Sequence, residues 1–533
     1  MFILPNRLFG ISVAFMSQIF SQDERRAAEN LSNLLACNPF TPKRQVLERA
    51  ILGDDYEDPI QASSGDYNQR LFSPNLIKLG AAGKLAEKAR ETILRSKSKG
   101  KLPARDFTLY RDLVFLALFD EVRDYFIEKI ELAHERETET ENHREFFHSF
   151  SQRFSWFFPE KENLTPSGFS APHLFALFFQ VRRAFFHIFN AIVGKSAALE
   201  KLRARVWESI FTHDMLRYLR SLCGRLGDVT TLISGPSGTG KELVARAIGL
   251  SRFIPYEQKT GRFESDFLAA FYPINLSALS ETLLESELFG HAKGAFTGAL
   301  QDRKGYFETC GLHGSVFLDE ITETKPEAQV KLLRVLQTRR FQRLGEVQPT
   351  RFEGKVIAAT NRDLAEEMKA GRFREDFYYR LCANRITTPS LDEILRDSPG
   401  ELEHLVEFVA GRVAGLDEAS GLADETCDWI NRKLGSDYTW PGNFRELQQC
   451  VRNILIHREY HPEELSVPHS QAELLANDFT EGTIPLEELQ SRYVTLVYAK
   501  TGKYEEVARR LGIDRRTVKK YLDVEMLSTL KKE

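Results

Sequence analysis

Two short stretches of this sequence could do phosphate chemistry. Gly235-Pro236-Ser237-Gly238-Thr239-Gly240-Lys241-Glu242 follows the apolar run Thr230–Ser234 and opens the helical run Leu243–Leu250. Glycines in such a turn let backbone N–H groups point inward around phosphate oxygens, and the start of the next helix adds its positive end. Lys241 supplies a point charge for the β- and γ-phosphates of a nucleotide. The general pattern ends in Ser or Thr, whose hydroxyl ligates magnesium; Glu242 stands there instead. The second stretch, Val316-Phe-Leu-Asp-Glu320, runs from a strand into two carboxylates. Ligands of an open parallel sheet gather at the carboxyl ends of its strands, so Asp319 would there organise magnesium and Glu320 would polarise an attacking water. Alone, each stretch also reads as a chance glycine turn or a strand that merely ends in acids. Together, roughly 80 residues apart, they predict hydrolysis of ATP with Mg2+.

Such motifs need a parallel sheet to position them, and the surrounding pattern provides one. From 192 to 389 short apolar strands alternate with helices, including Thr230–Ser234, Ser315–Leu318 and Val356–Thr360. Residues 390–460 read as a helical subdomain, 461–484 as a polar connector and 485–533 as a small helical domain. Residues 1–172 read as a mostly helical, aromatic-rich domain, periodic from Phe107 to Leu132. A linker helix, 173–191, follows, with Leu174, Phe178, Val181, Phe185, Ile188, Phe189 and Ile192 on one face. A multidomain chain is also what 533 residues imply. Gln180, Arg182, Arg183 and His187 interrupt that apolar stretch, so it is no membrane span. The apolar start, Phe9–Phe20, reads as a helix or a misassigned start rather than a secretory signal. Six scattered cysteines without a CxxC pair argue against zinc or a disulfide framework and for a reducing cytoplasm. The net charge of -4 means that any attraction to nucleic acid must be local.

Between the two phosphate motifs lies Glu285-Ser-Glu-Leu-Phe-Gly-His-Ala-Lys-Gly294-Ala295-Phe296-Thr297-Gly298-Ala299. Gly294 and Gly298 permit a tight reversal that leaves Phe296 and Thr297 at the tip, where an exposed aromatic calls for a partner. The stretch resembles the bacterial enhancer-binding proteins, the sigma-54-dependent activators, and Gly294–Ala299 matches their signature loop at every position. The resemblance runs for roughly 270 residues, from Ile192 through the helical lid. It implies an α/β AAA+ P-loop ATPase core with a helical lid, a sigma-54 and RNA polymerase partner, and a homo-oligomeric, hexameric ring. Residue by residue, it implies that Asn275 restrains Glu320 until sigma is engaged. Asn361, in Thr360-Asn361-Arg362, falls in the first sensor motif, and Arg374 and Arg380 become arginine fingers for a neighbouring subunit's ATP. Arg445, in Trp440-Pro-Gly-Asn-Phe-Arg-Glu-Leu447, becomes the lid residue that reads the γ-phosphate. A surface salt bridge is the ordinary alternative for either finger. The chain departs from the family at Pro236 and Leu276, and Phe211–Gly227 and Tyr256–Phe271 are longer than its usual connections.

The tail has a helix-turn-helix pattern. Glu505–Leu511 makes one helix, Gly512 turns, and Asp514 caps a second helix carrying Arg515, Arg516, Thr517, Lys519 and Lys520 outward. From Thr501 to Glu533 nine Lys/Arg stand against six Asp/Glu, a local excess suited to double-stranded DNA at an upstream, enhancer-like site. A solvated basic helix is the plain alternative. In the N-terminal domain Asp54-Asp55 reads as an acidic turn rather than a phosphate acceptor. Phe107, Tyr110, Phe115, Phe119, Tyr125 and Phe126 read as helical core more readily than as a ligand pocket. These features together describe a cytoplasmic transcription activator that remodels the closed sigma-54 polymerase complex. A repressor with a relic ATPase and a AAA+ remodeller of other assemblies are the competing readings.

Overall fold

The computed structural model describes residues 19–56, 81–95, 103–138, 141–160, 164–462, 484–523 and 526–527. Most of the apolar start and of the polar connector therefore lie outside the described residues. The chain divides into two compact units, Met1–Glu459 and Tyr460–Glu533.

The first unit is built on a parallel sheet. Its strands are β1 (Thr231–Ser234), β4 (Phe271–Asn275), β7 (Ser315–Asp319), β10 (Lys355–Thr360) and β11 (Asn384–Thr387), in the order β11-β1-β10-β7-β4. All four pairings are parallel, which fits strands such as β1 and β10 that are buried along their whole length. Hairpins β2–β3 (Tyr256–Glu257, Arg262–Phe263), β5–β6 (Gly290–His291, Arg303–Lys304) and β8–β9 (Arg340–Phe341, Thr350–Arg351) project from the connections.

Eight named helices cover the amino-terminal half of this unit. α1 (Gln22–Ala36) opens with a capping box between Ser21 and Glu24. α2 (Pro42–Leu52), α3 (Ala81–Arg95), α4 (Ala104–Arg136) and α5 (Arg144–Phe157) follow. α6 (Ala171–Ala191) and α7 (Ala197–Phe211) start at serine caps, Ser170 and Ser196. α8 (Lys241–Gly249) leaves the glycine turn. The stretch expected as a linker helix with one apolar face is instead buried on nearly every side of α6, packed against α4, α5, α7, α8 and β2. Its polar residues are engaged inside. Gln180 donates to Ser251 O at 2.9 Å, and Arg183 donates to Leu250 O at 3.0 Å and Arg252 O at 2.7 Å. Those carbonyls lie at and just beyond the end of α8, where a helix leaves acceptors unsatisfied. No helix among the described residues is long and apolar enough to cross a membrane.

The long connection Tyr256–Phe271 has a matching purpose. Its hairpin brings Tyr256 and Phe263 onto the aromatic layer of α5 and α6: Phe179 stacks on Phe263 at 4.2 Å, and Phe175 meets Tyr256 at 4.9 Å. Tyr110, Phe115 and Phe126, all fully buried, extend that core from α4. The acidic pair Asp54-Asp55 lies in a single 3-10 turn, Gly53–Asp55. After β4 come α9 (Glu281–Phe289), α10 (Pro326–Thr338) and α11 (Glu375–Leu381). The helical subdomain comprises α12 (Leu391–Asp397), α13 (Glu401–Ala414), α14 (Leu416–Lys433) and α15 (Asn443–His457). All six cysteines are free thiols.

The second unit holds α16 (Leu486–Thr501), α17 (Tyr504–Leu511) and α18 (Arg515–Tyr521) around Val494, Val507 and Val518. Gly512 turns in the left-handed region, and the Asp514 carboxylate accepts from Arg516 N at 2.7 Å to cap α18.

Candidate functional site

The glycine turn follows β1, which lies between β11 and β10 in the sheet, and neighbouring elements close around it. Gly235 N donates to Thr360 O of β10 at 3.3 Å. Thr239 and Thr388 hydroxyls meet at 2.7 Å. From the lid, Asn443 Nδ2 donates to Ser237 O at 2.9 Å, while its Oδ1 accepts from Leu391 N at 2.8 Å. The close fit explains the glycines: a Cβ on Gly238 would lie 2.3 Å from Gly442 O, and its φ of 77° disfavours any side chain. Arg445 donates to Ser237 Oγ at 3.4 Å, so the lid arginine reaches the turn. Lys241 Nζ donates to Gly235 O and Pro236 O at 2.9 and 2.8 Å. Glu242 is exposed on the first turn of α8.

The two carboxylates end β7 on the same edge. Glu320 sits in the left-handed region at φ 54°, an uncommon backbone for a non-glycine residue and one that gathers at functional sites. Its N–H donates to Asp319 Oδ1 at 3.0 Å. Burial raises the Asp319 carboxyl above its ordinary range; the Glu320 N–H lowers it, Glu320 raises it further, and Lys241 pulls it down. Burial lowers Lys241, against the attraction of Asp319 and Glu320. Lysine and carboxylates thus share one electrostatic site, as the spacing predicts. The half-buried Asp319 carboxylate is an oxygen donor suited to Mg2+, with water supplying the remaining ligands.

Asn275 is the register partner of Asp319. Its Oδ1 accepts from Ser277 N at 2.9 Å and Ser277 Oγ at 2.8 Å; no hydrogen bond to Glu320 is seen among the described residues. Asn361 is exposed just past β10, whose Thr360 hydroxyl meets Thr322 at 3.1 Å. Arg374 and Arg380 are both exposed. Arg374 forks onto Asp376 at 3.0 and 2.8 Å, and Arg380 Nε donates to Leu336 O at 3.0 Å. The surface pair that is the ordinary alternative for Arg374 therefore exists, and solvent screens such an exposed pair strongly. Buried Gln329 holds this segment: its Oε1 accepts from Arg374 N at 3.0 Å and its Nε2 donates to Arg372 O at 2.9 Å.

The loop Gly294–Ala299 leaves the β5–β6 hairpin. Gly294 and Gly298 have φ of 84° and 104°, and Gly294 N donates to Ala299 O at 2.9 Å to close the reversal. Thr297 is exposed at the tip. Phe296 departs from expectation: it is half-buried, edge-on to the His291 ring at 5.0 Å, and Ser286 holds His291 Nδ1 at 2.7 Å. Ala295 lies beneath, so close to Gly345 that a Cβ there would stand 2.9 Å from it.

In the second unit Arg515, Arg516, Lys519 and Lys520 are exposed along α18 and Thr517 is half-buried. Arg515 pairs with Glu505 at 3.1 Å. Sequence reasoning missed Thr388, Asn443 and Gln329. Asn443 stands inside the quoted lid motif, but Thr388 and Gln329 carry no local signal.

These features place a glycine turn, a lysine and two carboxylates together at the carboxyl ends of a parallel sheet, and comparison with known proteins adds to that description. Residues 209–387 match the sigma-54 interaction domain. The chain is 40% identical over 295 residues to the transcriptional regulatory protein ZraR of Salmonella typhimurium, covering 55% of this chain and 62% of that one. It is 46% identical over 230 residues to the Nif-specific regulatory protein of Azotobacter vinelandii, covering 43% and 40%. The chain therefore spans less than two thirds of the length of these curated relatives. The crystal structure of NtrX from Brucella abortus in complex with ATP is similar over 68% of this chain and 77% of that chain. Identity there is 24% and the TM-score 0.37, a loose superposition.

Proposed function

We propose that this protein is a cytoplasmic, ATP-driven activator of sigma-54 RNA polymerase that binds upstream DNA through its tail. One observation supports the reading: Gly294–Ala299 stands intact in the same compact unit as a glycine turn, Lys241, Asp319 and Glu320 gathered at the carboxyl ends of one parallel sheet. Phosphate chemistry of this type is mainly positioning and charge stabilisation. Backbone N–H groups of Ser237–Lys241 and the Lys241 ammonium hold the β- and γ-phosphates. Glu320 orients and polarises the attacking water. Asp319 would hold Mg2+, which would supply neutralisation of the phosphate charge. Arg374 and Arg380 of one subunit complete the site of the next in a hexameric ring, and Arg445 reports the γ-phosphate to the lid. Asn275 restrains Glu320 until sigma-54 is engaged, and release of Phe296 from His291 lets the Thr297 loop press on sigma-54, so that the closed complex opens. Arg515 and Arg516 are suited to guanine edges and Lys519 and Lys520 to phosphates.

The experiment is capture of purified sigma-54 by the full chain with ADP–aluminium fluoride, against a no-nucleotide control. Wild-type capture that Thr297→Ala loses, with ATP turnover kept within about twofold, supports the assignment. Absence of capture, also after removal of residues 1–190, sinks it. Target repression by a Lys241→Ala variant would then favour a DNA-binding repressor.

A further inference from the structure

At the amino end of β10, away from the nucleotide site, Lys355, Arg252 and Arg339 are drawn together without enough acid to balance them. Lys355 is 4% exposed, and its Nζ donates to Val229 O at 2.6 Å. Arg252, just past α8, donates from Nη1 to Gly314 O. Arg339 donates from Nη2 to Gly354 O at 2.7 Å and pairs with Asp228 at 2.8 Å. Burial, and then Arg252 and Arg339, push the Lys355 ammonium down to about 7. Asp228 is the carboxylate that acts on both guanidiniums, and it is exposed and already paired with Arg339. The other acids nearby stay neutral: burial pushes the Cys310 thiol up to about 12 and raises the Tyr218 hydroxyl and the Cys223 thiol as well. A cavity of about 20 Å3 adjoins this cluster, with Lys355, Arg252, Tyr218, Ser209, Ser251 and Cys223 in its wall and no carboxylate among its described lining residues.

We propose that this cavity holds one small monovalent anion of the halide class between Lys355 and Arg252. Size sets the upper limit. A cavity needs roughly 10–15 Å3 to take a water, and a halide ion is only slightly larger than a water. The space therefore admits a monatomic ion and excludes sulfate, phosphate or a carboxylic acid. Charge selects the occupant. Buried charge is costly unless it is paired. A water would accept a hydrogen bond from Lys355 but leave the cations facing one another, whereas an anion offsets their repulsion. Lys355 keeps two N–H donors beyond the one given to Val229 O. The Ser209 hydroxyl, 3.3 Å from Thr231 Oγ1, is a further donor in the wall. A metal cation would meet the same wall as repulsion.

The rest of the wall is held in shape by bonds that leave the cations free for the ion. Gln180 Nε2 donates to the Tyr218 hydroxyl at 2.6 Å and to Ser251 O at 2.9 Å, and the Tyr218 hydroxyl donates back to Gln180 Oε1 at 3.0 Å. The bound anion thus ties β10 to the end of α8 through Lys355 and Arg252. Its contribution is to the stability of the first unit, and it touches no group of the nucleotide site.

The test uses the full chain in sodium gluconate without nucleotide, so its outcome is independent of the ATPase and sigma-54 readings. Crystals are soaked in a series from millimolar to molar sodium bromide and measured at the bromine absorption edge. Melting is followed against sodium chloride at constant ionic strength, with sodium sulfate as the oversized anion. The expected result is a bromide peak in the cavity within hydrogen-bond distance of Lys355 Nζ. Melting temperature should rise with the logarithm of chloride concentration and not with sulfate. Two variants are compared: Lys355→Met removes a cation, and Cys223→Leu fills the cavity while keeping both cations. Each, where it melts cooperatively, should need at least about tenfold more chloride for the same stabilisation; if neither folds, the bromide peak in the wild-type chain decides. A water in the cavity and no bromide peak, or a peak at molar bromide only, overturns the proposal. So does equal stabilisation by sulfate, or a chloride response unchanged in either folded variant.

Discussion

In the phosphate cradle, Thr388, Asn443 and Arg445 close around a loop of consecutive residues, Gly235–Glu242. In the aromatic layer beside it, Phe126, Phe147, Phe175, Phe179 and Phe263 converge from α4, α5, α6 and the β2–β3 hairpin. The cradle is made of backbone polar groups, and its geometry permits few substitutions; a methyl group on Gly235 would lie 2.1 Å from Thr388 Oγ1. The layer is made of ring faces and edges, which many aromatic arrangements satisfy about equally. One region is specified position by position and the other by volume and burial. The two are nevertheless one structure, because α6 carries the layer on one side and the Arg183 contacts to the end of α8 on the other.

Substitutions can break this comparison. Phe179→Ala removes a ring that is 1% exposed and packed on Phe126, Phe263 and Phe267. It should cost about 3–5 kcal/mol while ATP affinity of the folded protein stays unchanged. Calorimetry should show one lowered transition; a separate early transition would mean that the layer unfolds independently of the motor. Lys241→Ala should do the converse, weakening ATP binding by roughly a hundredfold, or about 3 kcal/mol, with little change in melting temperature. Loss of both together would show that the cradle also holds the fold.

The charge pattern of the site sharpens the contrast further. Burial raises Asp319 and lowers Lys241, so each loses its charge nearer neutrality than an exposed counterpart. ATP affinity should fall as pH drops through the raised Asp319 pKa, since protonation removes the Mg2+ ligand. It should fall again as pH rises through the lowered Lys241 pKa, since deprotonation removes the phosphate charge. Binding of a fluorescent ATP analogue against pH reads both limbs, and Lys241→Arg should move the alkaline limb upward. The smallest effect belongs to the seam between layer and motor. Thr138 Oγ1 donates to Asp266 Oδ2 at 3.1 Å, and Thr138→Val should cost about 1 kcal/mol by chemical denaturation without altering turnover.

Much of the fold was legible because its signals are local. Buried parallel strands are short apolar runs, and Thr231–Ser234, Ser315–Asp319 and Lys355–Thr360 match their expected positions within a residue. The caps at Asp514 and the turn at Gly512 were equally readable. The burial of α6 was not. Its polar residues Gln180 and Arg183 gain partners only when the Tyr218 hydroxyl and carbonyls at and beyond the end of α8 are brought to them. Phe296 was misjudged for a related reason, since its cover comes from His291, five residues away but fixed by the hairpin.

The sequence by itself determined the phosphate turn, the paired carboxylates, the glycine-hinged loop and the basic second helix of the tail. Each depends on backbone conformation or charge that neighbouring residues set, so spacing along the chain carries the information. Tertiary structure alone decided that Thr388 and Asn443 close the cradle and that Gln329 braces the Arg374 segment. It also decided that the long connection Tyr256–Phe271 becomes a clasp for the amino-terminal helices. Those contacts join residues tens to hundreds of positions apart. Their partners are chosen by packing in three dimensions, which no short-range pattern encodes.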